Sequence, residues 1–300
     1  MRLISSICYL QTGFKKFFKD LQAFKFFNFG FAVLPILLFL GFILSSFAPY
    51  DPRRWGTVPR DLPPSPAHLL GTTTVGQDVF WLMMYAIKNS ITLGVITAGF
   101  SIMIAMAMGF LAGHLGRRTS GEFFNMINDS FCVIPGLPVL LILSFALRKH
   151  LNIPVIGLIL SIFGWAWPAK QLRAIVLEVK ERTYIQTAVF SGSSTLKVFW
   201  REYLPFVLPW VMVQFLSLMN WSVGMETTLG AFGLSTMGEA TIGTTIYWAL
   251  NYQALLRGIW WWLVSPIVIV VLLIIAIYFV SMSVGEYLNP RLRISRMRRG

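Results

Sequence analysis

Six apolar stretches alternate with polar ones along the chain, at approximately 31–47, 91–115, 123–147, 153–167, 204–223 and 259–282. A helix that crosses a bilayer needs about 20 mostly apolar residues. The fourth stretch is short and reaches that length only by extending through Pro168, Ala169 and Lys170, with the lysine snorkelling to the interface. Lipid offers the backbone no hydrogen-bond partner, so spans of this kind must be helices. The alternating strands of a barrel are missing from the sequence. The pattern predicts an all-α membrane protein with six transmembrane helices.

The polar stretches give the orientation. The chain has 25 Lys and Arg against 12 Asp and Glu, a net charge of +13. With the N-terminus placed inside, the inner segments hold the N-terminal cluster Arg2, Lys15, Lys16, Lys19 and Lys25, then Arg117 and Arg118. They also hold Lys170, Arg173, Lys180, Arg182, Lys197 and Arg201, and the C-terminal arginines 291, 293, 296, 298 and 299. The outer segments keep only Arg53, Arg54, Arg60, Arg148, Lys149 and Arg257, with Lys88 at a boundary. The positive-inside rule then puts both termini in the cytoplasm of a multi-pass plasma-membrane (inner-membrane) protein. The bases are explained by topology and are not interleaved with aromatics on one face, so no nucleic-acid partner is expected. About 30 residues precede the first apolar run, too many for the n-region of a cleaved leader.

Candidate chemistry is sparse. Cys8 and Cys132 make no C-x-x-C pair, and His68, His114 and His150 belong to no metal-ligand cluster, so no metal site is expected. "GTTTVGQD" has G-x-x-x-x-G spacing at Gly71 and Gly76, but Gln77 and Asp78 follow where a phosphate loop needs Lys and a hydroxyl. No Ser/His/Asp or paired-carboxylate constellation is evident, so no catalytic residue is assigned. A membrane enzyme would need such groups at one depth.

Ionisable groups within spans are costly and need a reason. Asn128 and Asp129 lie in the third stretch, and Glu226 falls just past the fifth. Asp129 suits a helix-end or interhelical hydrogen bond better than a substrate ligand. For Glu226, structural and gating roles stand level. Pro135 and Pro138 are expected to kink the third helix. The segment from 226 to 258, rich in Gly and Thr, fits a re-entrant gate or a plain loop.

One polar segment stands out, "KERTYIQTAVFSGSSTLKVFWREYLP" at 180–205. "TYIQTAVF" predicts a short helix and "SGSS" a break at Gly192, while "TLKVFWREYL" predicts an amphipathic helix leading to Pro205. A short exposed helix followed by a glycine turn has the shape of a docking element. An ordinary interfacial helix fits these residues as well.

These residues resemble those of a family, the permease subunits of binding-protein-dependent ABC importers, and among them the second permease of the oligopeptide, dipeptide and nickel group. The family's last large cytoplasmic loop carries Glu-Ala-Ala, three residues and Gly; here stand Gln186, Thr187, Ala188 and, after Val-Phe-Ser, Gly192, closed by Leu204-Pro205. "HLLGTTTVGQDVFWLMMYAIKNSITLG" is similar to the segment that leads the family into its second span. Asp129 and Pro135 sit at the family's spacing, "METTLGAFGLS" supplies Glu226, Leu229, Gly233 and Leu234, and "LNPRLR" at 288–293 resembles the terminal motif. The departures are Gln186 for the family's Glu, Thr187 for its first Ala, Gln77 for an Arg and Thr73 for an Asp.

The resemblance implies a type I ABC importer transmembrane domain, with five core helices and one peripheral first helix. It divides the chain into a basic cytoplasmic arm (1–30), a first span with its external loop (31–90), a core permease domain (91–283) and a basic tail (284–300). It implies half of a heterodimeric pore, completed by a homologous permease subunit and embedded in membrane lipid. Two cytoplasmic ABC ATPase subunits and an extracytoplasmic substrate-binding protein are the other partners. Tyr184, Gln186, Thr187, Ala188, Gly192 and Ser193 form the expected ATPase-docking loop; Asp129, Pro135, Glu226 and Gly233 are the pathway or gate candidates. No cofactor is expected on this chain, with ATP and Mg on the partner subunits. Peptides are the family's usual cargo, with oligosaccharides and nickel chelates as alternatives. An ion-coupled secondary transporter, working without an ATPase, is the rival reading.

Overall fold

The computed structural model describes residues 25–116 and 119–288. The basic arm before Lys25, Arg117, Arg118 and the tail with the "NPRLR" motif lie outside the described residues. The described chain is helical, with one isolated bridge, Thr72 to Asp78, between extended residues. Helix α1 (Lys25–Leu38) continues through a π turn (Phe39–Ile43) and a 3₁₀ turn (Leu44–Phe47). The long helix α2 (Val79–Leu115) follows, then α3 (Thr119–Val133), α4 (Gly136–Leu147), α5 (Ile153–Gly164) and α6 (Ala166–Lys180). Next come α7 (Thr183–Phe190), α8 (Thr195–Val198), a π turn (Phe199–Tyr203) and α9 (Leu204–Ala231). Helices α10 (Ile242–Asn251) and α11 (Trp260–Leu288) complete the element order.

Four continuous helical segments are long and apolar enough to cross a membrane: Asn28–Phe47, Val79–Leu115, Thr195–Ala231 and Trp260–Tyr287. The third and fourth predicted spans are instead broken pairs. Helices α3 and α4 meet at 80°, and α5 and α6 at 46°. The expected kink at Pro135 is thus a full break. Pro135 is extended, with ψ 97°, and caps α4 without a side-chain hydrogen bond. Pro138 falls in the first turn of α4, where a missing N–H costs nothing. At the second break, Pro168 has no N–H to give the Gly164 carbonyl, so the ladder loosens there.

Helix α2 is the central post. At about 1.5 Å per residue it is roughly 55 Å long, well over the ~30 Å of the hydrocarbon core. It begins at Val79, ahead of the predicted 91, because Asp78 caps it: Oδ1 accepts from the Phe80 and Trp81 amides at 2.9 and 3.4 Å. The polar residues Asn89 and Ser90, which break the apolar run, are buried and used. Asn89 donates to the Ala240 carbonyl at 2.7 Å, and Ser90 accepts from the Ile242 amide at 3.2 Å. Small residues let the neighbours close in on α2. A methyl at Gly109 would lie 2.6 Å from the Ala169 carbonyl oxygen, and one at Gly113 would strike the Val176 side chain, so α2 meets α6 backbone to backbone at the first and backbone to side chain at the second.

Candidate functional site

Three places carry the residues singled out above. The first is the hairpin between α6 and α9. Only Glu181 and Arg182 separate α6 from α7. Helix α7 ends with Ser193 N donating to the Ala188 carbonyl at 3.2 Å, closed over Gly192 at φ +75°. That left-handed conformation favours glycine, and nothing surrounds the position within 4 Å. Ser194 then caps α8, its hydroxyl accepting from the Lys197 amide at 3.4 Å.

The inner edge of the hairpin is apolar and fastened down. Ile185, Val198 and Tyr203 are buried with Phe110 of α2, Leu172, Val176 and Val179 of α6, and Val207 of α9. Lys180 Nζ donates to the His114 carbonyl at 2.8 Å, tying the end of α6 to the end of α2. The outer edge is free. Tyr184, Gln186, Thr187, Phe190, Leu196 and Trp200 are exposed, Phe190 at 86%. The predicted amphipathic helix "TLKVFWREYL" does not stop at Pro205: Thr195–Ala231 is one continuous helical segment. Pro205 follows directly on the π turn at Phe199–Tyr203, where the regular hydrogen-bond ladder has already shifted. The far side of the hairpin and α9 therefore form one unbroken helical path, with Pro209 inside α9.

The second place is the opposite end of α9. Glu226 lies inside the helix, not beyond it, and is fully buried. Its Oε1 accepts from Ser235 Oγ at 2.9 Å and Thr241 Oγ1 at 2.5 Å. Thr241 is also the cap of α10, in a capping box with Thr244. Gly230 and Gly243 let α9 and α10 cross in backbone contact; a methyl at Gly230 would lie 2.6 Å from Gly243. Gly233, at φ +74°, terminates α9, and Leu234 N returns to the Leu229 carbonyl at 2.9 Å. The Tyr247 ring fills the space a side chain would need at Gly233. The segment from 226 to 258 is thus a helix end, a short loop, a ten-residue helix and a turn.

The 48–78 segment covers this end. His68 Nδ1 lies 2.7 Å from Asp78 Oδ2, which also accepts from Tyr50 Oη at 3.1 Å. Burial, then the charge of Asp78 and its hydrogen bond, push the Tyr50 phenol up from its usual value. Gln77, standing where the related motif has Arg, donates to the Pro52 and Arg53 carbonyls at 2.9 and 3.1 Å. The pairs Arg53–Glu239 and Arg257–Asp61, both at 3.5 Å, strap the loop to the α9–α11 connection. The hydrogen bond from Arg53 chiefly holds the Asp51 carboxyl below the usual carboxylate range, with burial opposing.

The third place is the pair of helix breaks. Both open on one cavity of about 390 Å³, lined among others by Phe131, Ile134, Gly136, Phe163, Trp167 and Trp221. Irregular backbone at membrane depth is tolerated where it is buried or lines a cavity. Asp129 stands beside this region. It pairs with Lys170 Nζ at 2.9 Å and accepts from Asn125 Nδ2 at 2.8 Å, joining α3 to α6. Asn128, oriented by its partners, reaches the Ala166 carbonyl and the Lys170 amide. The four pathway candidates therefore do not converge. Pro135 is at the break, Asp129 bridges α3 to α6, and Glu226 and Gly233 shape the buried end of α9. Among the described residues, no group of three or more His, Cys, Asp and Glu is placed to hold a metal ion.

Sequence reasoning missed the His68–Asp78–Tyr50 cluster and the straps Arg53–Glu239 and Arg257–Asp61. The "H-x-L-G-T-x-x-x-G-x-D" spacing was the signal for the first; the straps pair residues too distant in sequence to leave one.

The broken and continuous spans, packed on a central helix, define a multi-pass, all-helical membrane protein. Residues 105–294 match the binding-protein-dependent transport system inner membrane component family, and the chain belongs to that family. It is similar to the oligopeptide transport system permease protein OppC of Lactococcus lactis subsp. cremoris, 26% identical over 66% of this chain and 67% of that one. It is also similar to the dipeptide transport system permease protein DppC of Bacillus subtilis, 28% identical over 76% of this chain and 69% of that one. These matches span about two thirds of each relative's length. A chain of the MetNI methionine ABC transporter, solved in inward-facing conformations, shares the fold with a TM-score of 0.54 at 16% identity, covering 70% of this chain and 97% of that one.

Proposed function

We propose that this chain is one permease half of an ATP-driven importer for peptides, with both termini cytoplasmic. A homologous permease completes the pore, a binding protein delivers solute over the 48–78 face, and two ATPases, carrying ATP and Mg, dock on the hairpin of α7 and α8. One observation carries the reading. The hairpin is pinned by Ile185 and Val198 yet presents Tyr184, Gln186, Thr187 and Phe190 outward, and its far side is continuous with α9. A groove on a partner that grips this edge moves a rigid lever, not a loose loop. The lever carries Glu226 near its far end, beside the strapped 48–78 loop, so closure of the ATPases biases which face of the pore is open. The cavity at the two helix breaks is the part of the pathway this chain supplies. The cargo assignment rests on the peptide-transport names of the relatives. Gln186 contacts the ATPase by neutral hydrogen bonds in place of the charge-assisted bond a Glu would make.

A cysteine at Phe190 tests the docking. In membranes holding the whole transporter, Phe190→Cys is expected to cross-link to the ATPase subunit. A cysteine at Arg54, on the opposite end, is not. Cross-linking at Arg54 and none at Phe190 would overturn the orientation and the docking together.

A further inference from the structure

The turn between α10 and α11 is held in one shape. Gln253 N donates to the Leu250 carbonyl at 3.0 Å, Ala254 N to Ala249 at 2.9 Å, Gly258 N to Leu255 at 3.1 Å and Ile259 N to Ala254 at 2.8 Å. Gln253 and Gly258 take left-handed conformations, φ 52° and 78°, to close it. Ala254 and Ile259 are buried along its inner edge. Leu255 and Leu256 are thereby fixed pointing away from the protein, Leu256 at 84% exposure.

The chain passes directly from this turn into α11. There the exposed large apolar side chains are Trp260, Val264, Ile267, Val268, Val271, Tyr278 and Met282, which at helical spacing fall on a single stripe down the helix. The other faces of α11 are covered, by α1 where Gly30 meets Ala276 and by α9 where Ser217 meets Ser281. An apolar stripe running the length of a spanning helix faces acyl chains. A tryptophan at its head marks the interface, where the amphipathic indole sits at headgroup level. Leu255, Leu256 and, at the end of α10, exposed Leu250 extend that stripe beyond the helix.

We propose that the 250–260 turn is a membrane foot. Leu250, Leu255, Leu256 and Trp260 lie in the boundary between headgroups and acyl chains, while Arg257 stays paired with Asp61 on the loop side. The foot fixes the depth of α10, and with it the Thr241 cap that holds Glu226. It gives α9 a stationary seat at the end away from the hairpin. This placement does not depend on the solute carried.

A spin label tests it. In the transporter with Cys8 and Cys132 replaced by Ser, nitroxides are attached at Leu256→Cys, Leu255→Cys and Arg54→Cys in phosphatidylethanolamine–phosphatidylglycerol vesicles. Labels at 255 and 256 are expected to collide with oxygen in preference to a water-soluble nickel chelate, by a ratio several-fold above that at 54. Equal ratios at all three positions would overturn the proposal. So would a label at 256 that is chelate-accessible until the external binding protein is added, since the turn would then be a protein-docking face. These side chains are exposed, so the substitutions leave folding aside.

Discussion

Thr241 Oγ1 donates to Glu226 Oε1 at 2.5 Å, so the residue that caps α10 is held by a buried carboxylate of α9. Glu226 organises the junction of three elements, since Ser235 of the intervening loop donates to the same oxygen.

Glu226→Ala leaves the Ser235 hydroxyl in a closed interior without that acceptor and strips one partner from Thr241. An orphaned buried polar group costs about 1–3 kcal/mol. The purified protein should lose at least about 2 kcal/mol of stability in a denaturant or thermal melt. Glu226→Gln keeps an acceptor oxygen and should lose less than half as much. Equal losses for the two variants would mean that the acceptor is not what matters.

Asp78 joins the helix cap to the 48–78 loop through its two oxygens. Asp78→Ala should remove about 1 kcal/mol for the cap alone and leave Tyr50 and His68 without their shared acceptor. Limited proteolysis is the measurement: cleavage within 48–78 should accelerate in Asp78→Ala, with Asp78→Asn intermediate because it retains Oδ1.

The pH dependence has a definite sign at each of two sites. Tyr50 holds its proton more tightly folded than unfolded. Its contribution is therefore complete below the unfolded value of about 10 and lost as pH rises beyond it. The wild-type melting temperature should fall more steeply above about pH 10 than that of Tyr50→Phe. Asp51 has the opposite sense: its folded value is depressed, so its contribution is present above about pH 4 and lost on acidification through the folded value. Partly exposed, it should give only a small acid-side slope, and Arg53→Ala should flatten it.

The hairpin was legible because it is polar within an apolar chain; α7 spans the very residues of "TYIQTAVF". The six-span count was legible in composition and a bend at Pro135 in its proline, but the full break there and the bend at Trp165 were not, because the residues on either side stay apolar whether the helix bends or stops. The start of α2 was hidden by Lys88, Asn89 and Ser90, which look like a boundary until Ala240 and Ile242 supply the partners of Asn89 and Ser90. Glu226 seemed to lie past its span for a similar reason. The Gly- and Thr-rich sequence around it reads as a loop, whereas its glycines serve a helix crossing and its threonines a carboxylate and a cap.

The central claim is that the hairpin transmits ATPase closure to α9, and Gly192 tests it most directly. Its φ of +75° is closed to proline, whose ring holds φ near −65°, so Gly192→Pro must reshape the turn between α7 and α8, at a position where a Cβ meets nothing within 4 Å. With the transporter reconstituted in vesicles and its binding protein supplied, solute-stimulated ATP hydrolysis is the measurement. The account predicts that Gly192→Pro inserts in the membrane normally and loses that stimulation. Stimulation equal to wild type would contradict it.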